Sequence, residues 1–334
     1  MRFARTDEQQ FFAEVVAGLS ARLAGPDEVR RAWAPASDEP AGAALWAALD
    51  DVGLLSLLAP DGGGSELELV SAIEELGRAC TPGPVVEHAA VAVPLLAALA
   101  PELLADTSGV FTASTSDLVP YAARASGVLL LEDERLLLVE GSALDAAASV
   151  VDSLDGSRML VRISPDQRAG ARVLASGAEV AAQLARARDR AALCTAALLV
   201  GLSARAIEMT VDYDKVRLQF GVPVGSFQAV KHQLANAHVA VEFARPLVEA
   251  AAWAMSTDAP DASRLCSMAK VSANKAGRLA AKTSLQCHGA IGYTMEADLH
   301  LYLMRIWSLL NAWGGTDEHR ERVARDLLDA PVAS

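Results

Sequence analysis

The chain has 334 residues, 52% of them hydrophobic and only 5% aromatic, enough to fill one large core or those of two or three domains. Its 42 Asp and Glu against 29 Lys and Arg leave a net charge of −13, which argues against nucleic acid as a partner. A local cluster of Arg can still reverse the field for an anionic ligand.

At the N-terminus, "MRFARTDEQQFF" lacks the apolar core of a signal peptide. No uncharged run reaches the ~18 residues that span a bilayer, so a cytoplasmic protein without a membrane partner is expected. Thr6 is placed to cap a first helix, with Gln9 in the capping-box position. "ALWAALDDVGLLSLLAP" carries a helical apolar stripe that ends near Gly53, and "ELELVSAIEELGRAC" carries another after the loop "APDGGGSE". "PGPVVEHAAVAVPLLAALA" predicts a further buried helix. From Gly109 to about Ser176 the pattern changes. "GVFTAS", "GVLLLED", "RLLLVE" and "RMLVRIS" are short β-branched and Leu runs that predict strands of a small sheet or barrel. From Gly177 onward four apolar segments at three- and four-residue spacing predict long helices.

The expected fold is therefore α+β. An N-terminal helical domain covers residues 1–106, a shortened middle β-domain residues 107–176, and a C-terminal four-helix bundle domain residues 177–334. Cys80, Cys194, Cys266 and Cys287 lie far apart in apolar or helical settings and are expected to be buried reduced thiols.

Two segments stand out for chemistry. In "RLQFGVPVGSFQ", Arg217 closes one helix, and Phe227-Gln228 opens the next. A guanidinium fork suits phosphate, and Gln228 adds donors beside free backbone N–H groups. The plainer reading of the same residues is a helix–helix turn with one surface Arg. In "QCHGAIGYTME", Gly289 and Gly292 permit close backbone approach and Gln286 offers an amide, while His288 beside glycine is better read as structural. Glu296 and His300 stand four apart with no second Glu/His pair, so a di-iron bundle is not expected. No metal set is found. There is also no Gly-x-Gly-x-x-Gly after a strand, no nucleophile elbow and no P-loop.

The order "RLQFGVPVGSFQAVKHQLANAHVAVEFAR", "QCHGAIGYTMEADLHLYLMR", "GGTDEH" resembles the C-terminal half of an acyl-CoA dehydrogenase. "LWAALDDVGLLSLLAPDGGGSELELVSAIEELGR" resembles that family's first domain, so the likeness spans nearly the whole chain. It implies an enzyme that uses FAD to make an enoyl-CoA from a saturated acyl-CoA. A carboxylate takes the α-proton while the β-hydride goes to the flavin, and hydrogen bonds to the thioester carbonyl acidify the α-carbon. The likeness further implies that FAD lies across a subunit interface. One chain's middle domain holds the ring and the neighbour's C-terminal domain holds the ADP portion.

Here the sequence departs from the family. The base usually stands in a Tyr-Glu-Gly-Thr stretch, and the matching residues are Trp313-Gly314-Gly315-Thr316, so Gly314 occupies the base position and no catalytic residue is assigned. Other members carry the Glu on the first helix of the last domain. The matching stretch "ARDRAALCT" has alanines there, with Asp189 a residue or two away as the fallback. Neither the Thr-Glu-Pro-x-x-Gly-Ser-Asp loop nor the Trp- or Phe-Ile-Thr segment of the ring pocket is found. The ADP side is retained: Arg217, Gln219, Phe220 and Gln228 match one element, and Gln286, Gly289 and, imperfectly, Ala290 match the other. This pattern resembles the partner subunit of actinobacterial heterotetrameric acyl-CoA dehydrogenases, which often act on CoA thioesters of steroid side chains. The expected partner is a catalytic subunit that binds most of the acyl-CoA, in a heterotetramer with two copies of each chain. The alternatives are a self-sufficient homotetramer with a displaced base at Asp189, Asp317 or Glu318, and a pseudoenzyme that binds or scaffolds.

Overall fold

The computed structural model describes residues 5–33, 41–105, 109–144 and 149–328. Helices α1 (Asp7–Leu23), α2 (Pro26–Ala32), α3 (Ala43–Asp51) and α4 (Glu66–Arg78) form the first block. The capping box at Thr6 is present: its hydroxyl accepts from Gln9 N–H at 3.2 Å, and the Gln9 side chain accepts from Thr6 N–H at 3.0 Å. The stripe ending at Gly53 corresponds to α3, and Gly53 itself takes φ +76.

The next segment differs from expectation. In place of one α-helix, residues Val86–Ala92 form a π-helix that runs into α5 (Val93–Leu99), followed by α6 (Glu102–Ala105). Pro94 explains the change, since it has no N–H to offer the Ala90 carbonyl and its ring crowds that oxygen. Arg190, buried on a neighbouring helix, donates to the Ala90 carbonyl at 3.3 Å and to Glu66 Oε1 at 3.0 Å.

The middle block holds two small sheets. β1 (Phe111–Ser114) runs parallel to β3 (Gly127–Leu131), which pairs antiparallel with β4 (Arg135–Glu140) and through it with β7 (Arg172–Ser176). β2 (Leu118–Pro120), β6 (Leu160–Arg162) and β5 (Val150–Val151) make the second sheet, and α7 (Pro165–Ala169) leads into β7. Successive strand residues face opposite sides. Leu129, Leu131, Leu136 and Leu138 therefore join the main core, while Val128, Leu130, Leu137 and Val139 enclose a separate core with Val119, Val161 and Ile163.

The C-terminal bundle comprises α8 (Ala178–Val216), α9 (Gln228–Ser256), α10 (Ala262–His288) and α11 (Leu299–Leu309), with α12 (Thr316–Leu328) laid against α10. α4 meets α8 backbone to backbone. A Cβ on Gly77 would stand 2.5 Å from the Leu198 carbonyl oxygen, and one on Gly201 would stand 2.0 Å from that of Glu74. Length and composition alone would let α8 cross a bilayer, but 78% of its apolar window is buried inside the protein, so its apolar surface is already covered.

One side chain joins all three blocks. Arg305 of α11, 2% exposed, pairs with Asp155 and bonds Ser157 of the middle block, and donates to the Thr81 carbonyl of the first at 2.9 Å. Asp155 and Ser157 are buried as well. Removing one member of a buried pair strands the other charge, at about 3–5 kcal/mol. Arg305→Met is expected to lower stability by that amount in urea denaturation, with Asp155→Asn less than additive to it. A loss below about 1 kcal/mol would remove this contact as the junction of the blocks.

Candidate functional site

α8 ends at Arg217, whose ψ of 121° turns the chain out of the helix. The plainer of the two sequence readings makes this stretch a helix–helix turn. The chain instead makes a hairpin, β8 (Leu218–Gln219) against β9 (Val222–Pro223). Two-residue hairpins require left-handed backbone at the tip, and Phe220 (φ +53) and Gly221 (φ +81) supply it. The hairpin is tied to the helix end by Val224 N–H donating to the Arg217 carbonyl at 2.8 Å. A 3₁₀ turn, Val224–Ser226, then leads to Gln228, the first residue of α9. Phe220 is 94% exposed and meets Phe227 edge-on, with ring centroids 6.2 Å apart.

The second motif lies beside the first. Near the end of α8, Tyr213 stacks on His288, the last residue of α10, with centroids 4.6 Å apart and planes 8° apart. Gly289 follows with φ +62 and starts the 3₁₀ segment Gly289–Tyr293 that includes Ala290. His288 is buried and bonds the Ser284 carbonyl through Nδ1 at 2.9 Å, and burial lowers its pKa; it is a structural residue. His300 is likewise bound to its own chain, Nδ1 to the Ala297 carbonyl at 2.7 Å, with its ring edge-on to Trp33. Arg217, Gln219, Gln228 and Gln286 are exposed, and among the described residues none of their side chains has a polar partner.

A separate locus forms where α11 gives way to α12. Lys270 of α10 is fully buried and donates to the Leu309 and Leu310 carbonyls and to Asn274 Oδ1, at 2.9–3.2 Å. Asn274 in turn donates to the Leu310 carbonyl and Thr316 Oγ1, so both sides of the intervening turn are fixed. Gly314 takes φ +104, and a Cβ there would stand 2.5 Å from His319 Nε2. His319 is fully buried. Its Nε2–H donates to the Trp313 carbonyl at 3.0 Å, and Nδ1 accepts from Ser267 Oγ at 3.2 Å; burial lowers its pKa. The imidazole thus fills the space next to which a side chain at 314 would begin.

A cavity of about 390 Å³ opens here, with Ser114, Arg158, Ser308, Asn311, Gly314 and Glu318 on its wall. The Ser114 hydroxyl is engaged within the β1–β2 turn, accepting from Ser116 N–H at 3.0 Å and donating to the Leu118 carbonyl at 3.2 Å. Asp189 does not line the cavity; it is buried and paired with Arg322. Cys80, Cys194 and Cys266 are buried, and burial raises each thiol pKa. Cys287 is half-buried, a departure from expectation, because it lies at the open end of α10. The two loci sit at opposite ends of α10. Ser267 and Gln286 are nineteen residues apart, roughly 28 Å along a helix axis.

The description "Acyl-CoA dehydrogenase, C-terminal domain" matches residues 176–328. The acyl-CoA dehydrogenase IpdE2 of Mycobacterium tuberculosis is 32% identical to this chain, covering 97% of it and 99% of the relative. The chain belongs to the acyl-CoA dehydrogenase family. Two solved structures share the acyl-CoA dehydrogenase fold across nearly the whole chain. A chain of the Mycobacterium tuberculosis ChsE4–ChsE5 complex superposes with a TM-score of 0.82 at 23% identity, covering 99% of this chain and 100% of that one. A Tcur3481–Tcur3483 steroid ACAD variant gives 0.85 at 23%, covering 98% and 99%. Acyl-CoA dehydrogenases are oxidoreductases that use FAD. The hairpin and the His319 contact carry no local sequence signal strong enough to have been read in advance, and Pro94 is the one local sign of the π-helix.

The acyl-CoA dehydrogenase turn at Gly314 yields a direct test. Gly314→Ala is expected to lose on the order of 1–3 kcal/mol from left-handed strain, plus the displacement of His319. Gly315→Ala, where the new Cβ would meet only Asn311 Oδ1 at 3.3 Å, is expected to lose much less. Thermal denaturation of the two variants separates them, and equal melting points would contradict the assignment.

Proposed function

We propose that this chain is the partner subunit of a heterotetrameric acyl-CoA dehydrogenase, completing the FAD site of a catalytic subunit and lacking a base of its own. The observation that carries this reading is the separation of the two loci. Arg217, Gln219, Gln228 and Gln286 are exposed and, among the described residues, unpaired at one end of the bundle, while Gly314 packs on His319, which bonds Ser267 near the opposite end of α10, and Ser267 and Gln286 are roughly 28 Å apart along that helix. A set of donors that the chain leaves unused suits the diphosphate of a neighbour's nucleotide. Phe220, Gly289 and Ala290 would complete its backbone-accessible wall.

The residues at the other end fit a flavin ring poorly. The Ser114 hydroxyl is bonded within its own turn, and Gly314 cannot remove a proton. FAD, when bound, supplies the hydride acceptor. This chain's residues hold its ADP portion, and the base and ring pocket come from the partner. The division into an N-terminal helical domain, a short middle β-domain and a C-terminal bundle belongs to the same reading. The likeness to a complex of two differently named chains and to a steroid ACAD supports a heteromer and a CoA thioester of a steroid side chain as substrate.

Two results are expected. The purified chain alone carries little FAD and does not dehydrogenate acyl-CoA, whereas co-expression with its catalytic subunit yields a flavin-containing complex. In that complex Arg217→Ala weakens FAD retention about ten- to a hundredfold, the equivalent of the ~1.5–3 kcal/mol of a charge-assisted contact. Gln286→Ala weakens it less, because its bonds are neutral. Flavin release followed by fluorescence measures both, and unchanged retention in the Arg217 variant would refute the assignment.

A second reading, a self-sufficient enzyme with a displaced base, has one observation in its favour: Glu318 lines the same cavity as Gly314. Asp317 faces solvent and Asp189 is paired with Arg322. If the chain alone turns over acyl-CoA and Glu318→Gln abolishes it, this reading replaces the first.

A further inference from the structure

Asp214 lies in the last turn of α8, three residues before Arg217, and is 1% exposed. Among the described residues neither carboxyl oxygen has a hydrogen-bond partner. The 3₁₀ turn Val224–Ser226 closes over it so tightly that a Cβ on Gly225 would stand 3.1 Å from the Asp214 carbonyl oxygen and 3.4 Å from its Cβ. That turn carries no titratable side chain. From the end of α10, Cys287 faces Asp214, its thiol pushed up to about 11 by burial and by the aspartate charge; His288, next to it, turns its ring to Tyr213. On α8, Asp212 and Lys215 are exposed and paired with each other at 3.1 Å, and Lys231 and His232 at the start of α9 are exposed. No cation among the described residues is paired with the carboxylate.

We propose that Asp214 is a proton-dependent positioning residue for the Arg217 hairpin, holding it closed when protonated and releasing it when ionised. An unpaired carboxylate under a closed turn loses its hydration, and opening Val224–Ser226 restores water to it. Burial raises the carboxyl from 3.8 to about 6, so the closed form favours the acid over the anion. Its stabilisation of closure is full below the open-state value near 4 and is lost as pH rises through 6. Above 6 the closed form bears the whole penalty. Between pH 5.0 and 7.5 the equilibrium shifts toward the open hairpin by about tenfold. The consequence for nucleotide retention rests on the reading of Arg217 given above; the clamp itself does not.

The test is hydrogen exchange by mass spectrometry on the chain without flavin, corrected for intrinsic exchange. The Val224 amide, which bonds the Arg217 carbonyl, is expected to lose about tenfold in protection from pH 5.0 to 7.5, and Asp214→Asn is expected to abolish that change. Asp214→Ala serves the same comparison if the Asn variant fails to fold. Wild-type protection independent of pH, or the same loss in the variants, overturns the proposal. Because no flavin is present, failure here leaves the nucleotide reading intact, and failure of the Arg217→Ala experiment leaves this result intact.

Discussion

The structure depends on the buried contact between Arg305 and Asp155. Each block has its own apolar pattern, and Leu129, Leu131, Leu136 and Leu138 of the middle block share the main core with the bundle, but apolar packing is non-directional and a polar contact is what fixes how the middle block sits there. The Arg305 guanidinium does so by bonding Asp155 and Ser157 on one side and the Thr81 carbonyl on the other. A buried charge of this kind is tolerated only when fully partnered, which makes the arrangement specific. Arg305 also sits about one turn before the end of α11, whose continuation forms the Gly314 turn. The contact that joins the blocks therefore also orients the wall of the cavity between them.

Much of the fold was legible in the sequence, because it rests on local periodicity. The short apolar run in "RLLLVE" predicts a strand, and the structure divides its leucines between two cores because successive strand residues face opposite sides. The Thr6–Gln9 box marks a helix start by chemistry confined to four residues. What was not legible depends on distant partners or on very short elements. The π-helix follows from Pro94, but its tolerance depends on Arg190, about a hundred residues away. The β8–β9 hairpin has only two residues per strand, too few for an alternating pattern.

The candidate site divides the same way. Arg217, Gln228 and Gln286 could be picked out by residue type and position at helix ends, and the structure brings their two segments together through the Tyr213–His288 stack. That Gly314 falls where the family usually carries a carboxylate is an expectation from resemblance. The reason a side chain does not fit there easily could not be read from the sequence: His319, five residues on, occupies the adjoining space and is held by Ser267 from another helix. Asp214 was hidden for a similar reason, since an aspartate near a helix end reads as solvated until a turn is seen to close over it.

The central claim is that this chain supplies one half of an FAD site and has lost the other. A heterotetramer with two copies of each chain would then hold complete sites only where a catalytic subunit's ring pocket meets this chain's Arg217 end. The direct measurement is the FAD content of the co-expressed complex, by absorbance of the released flavin against protein mass. A partner subunit with half a site gives about two FAD per four chains, by the two-fold symmetry of such an assembly. About four per four chains would contradict it, because this chain would then hold a flavin ring of its own.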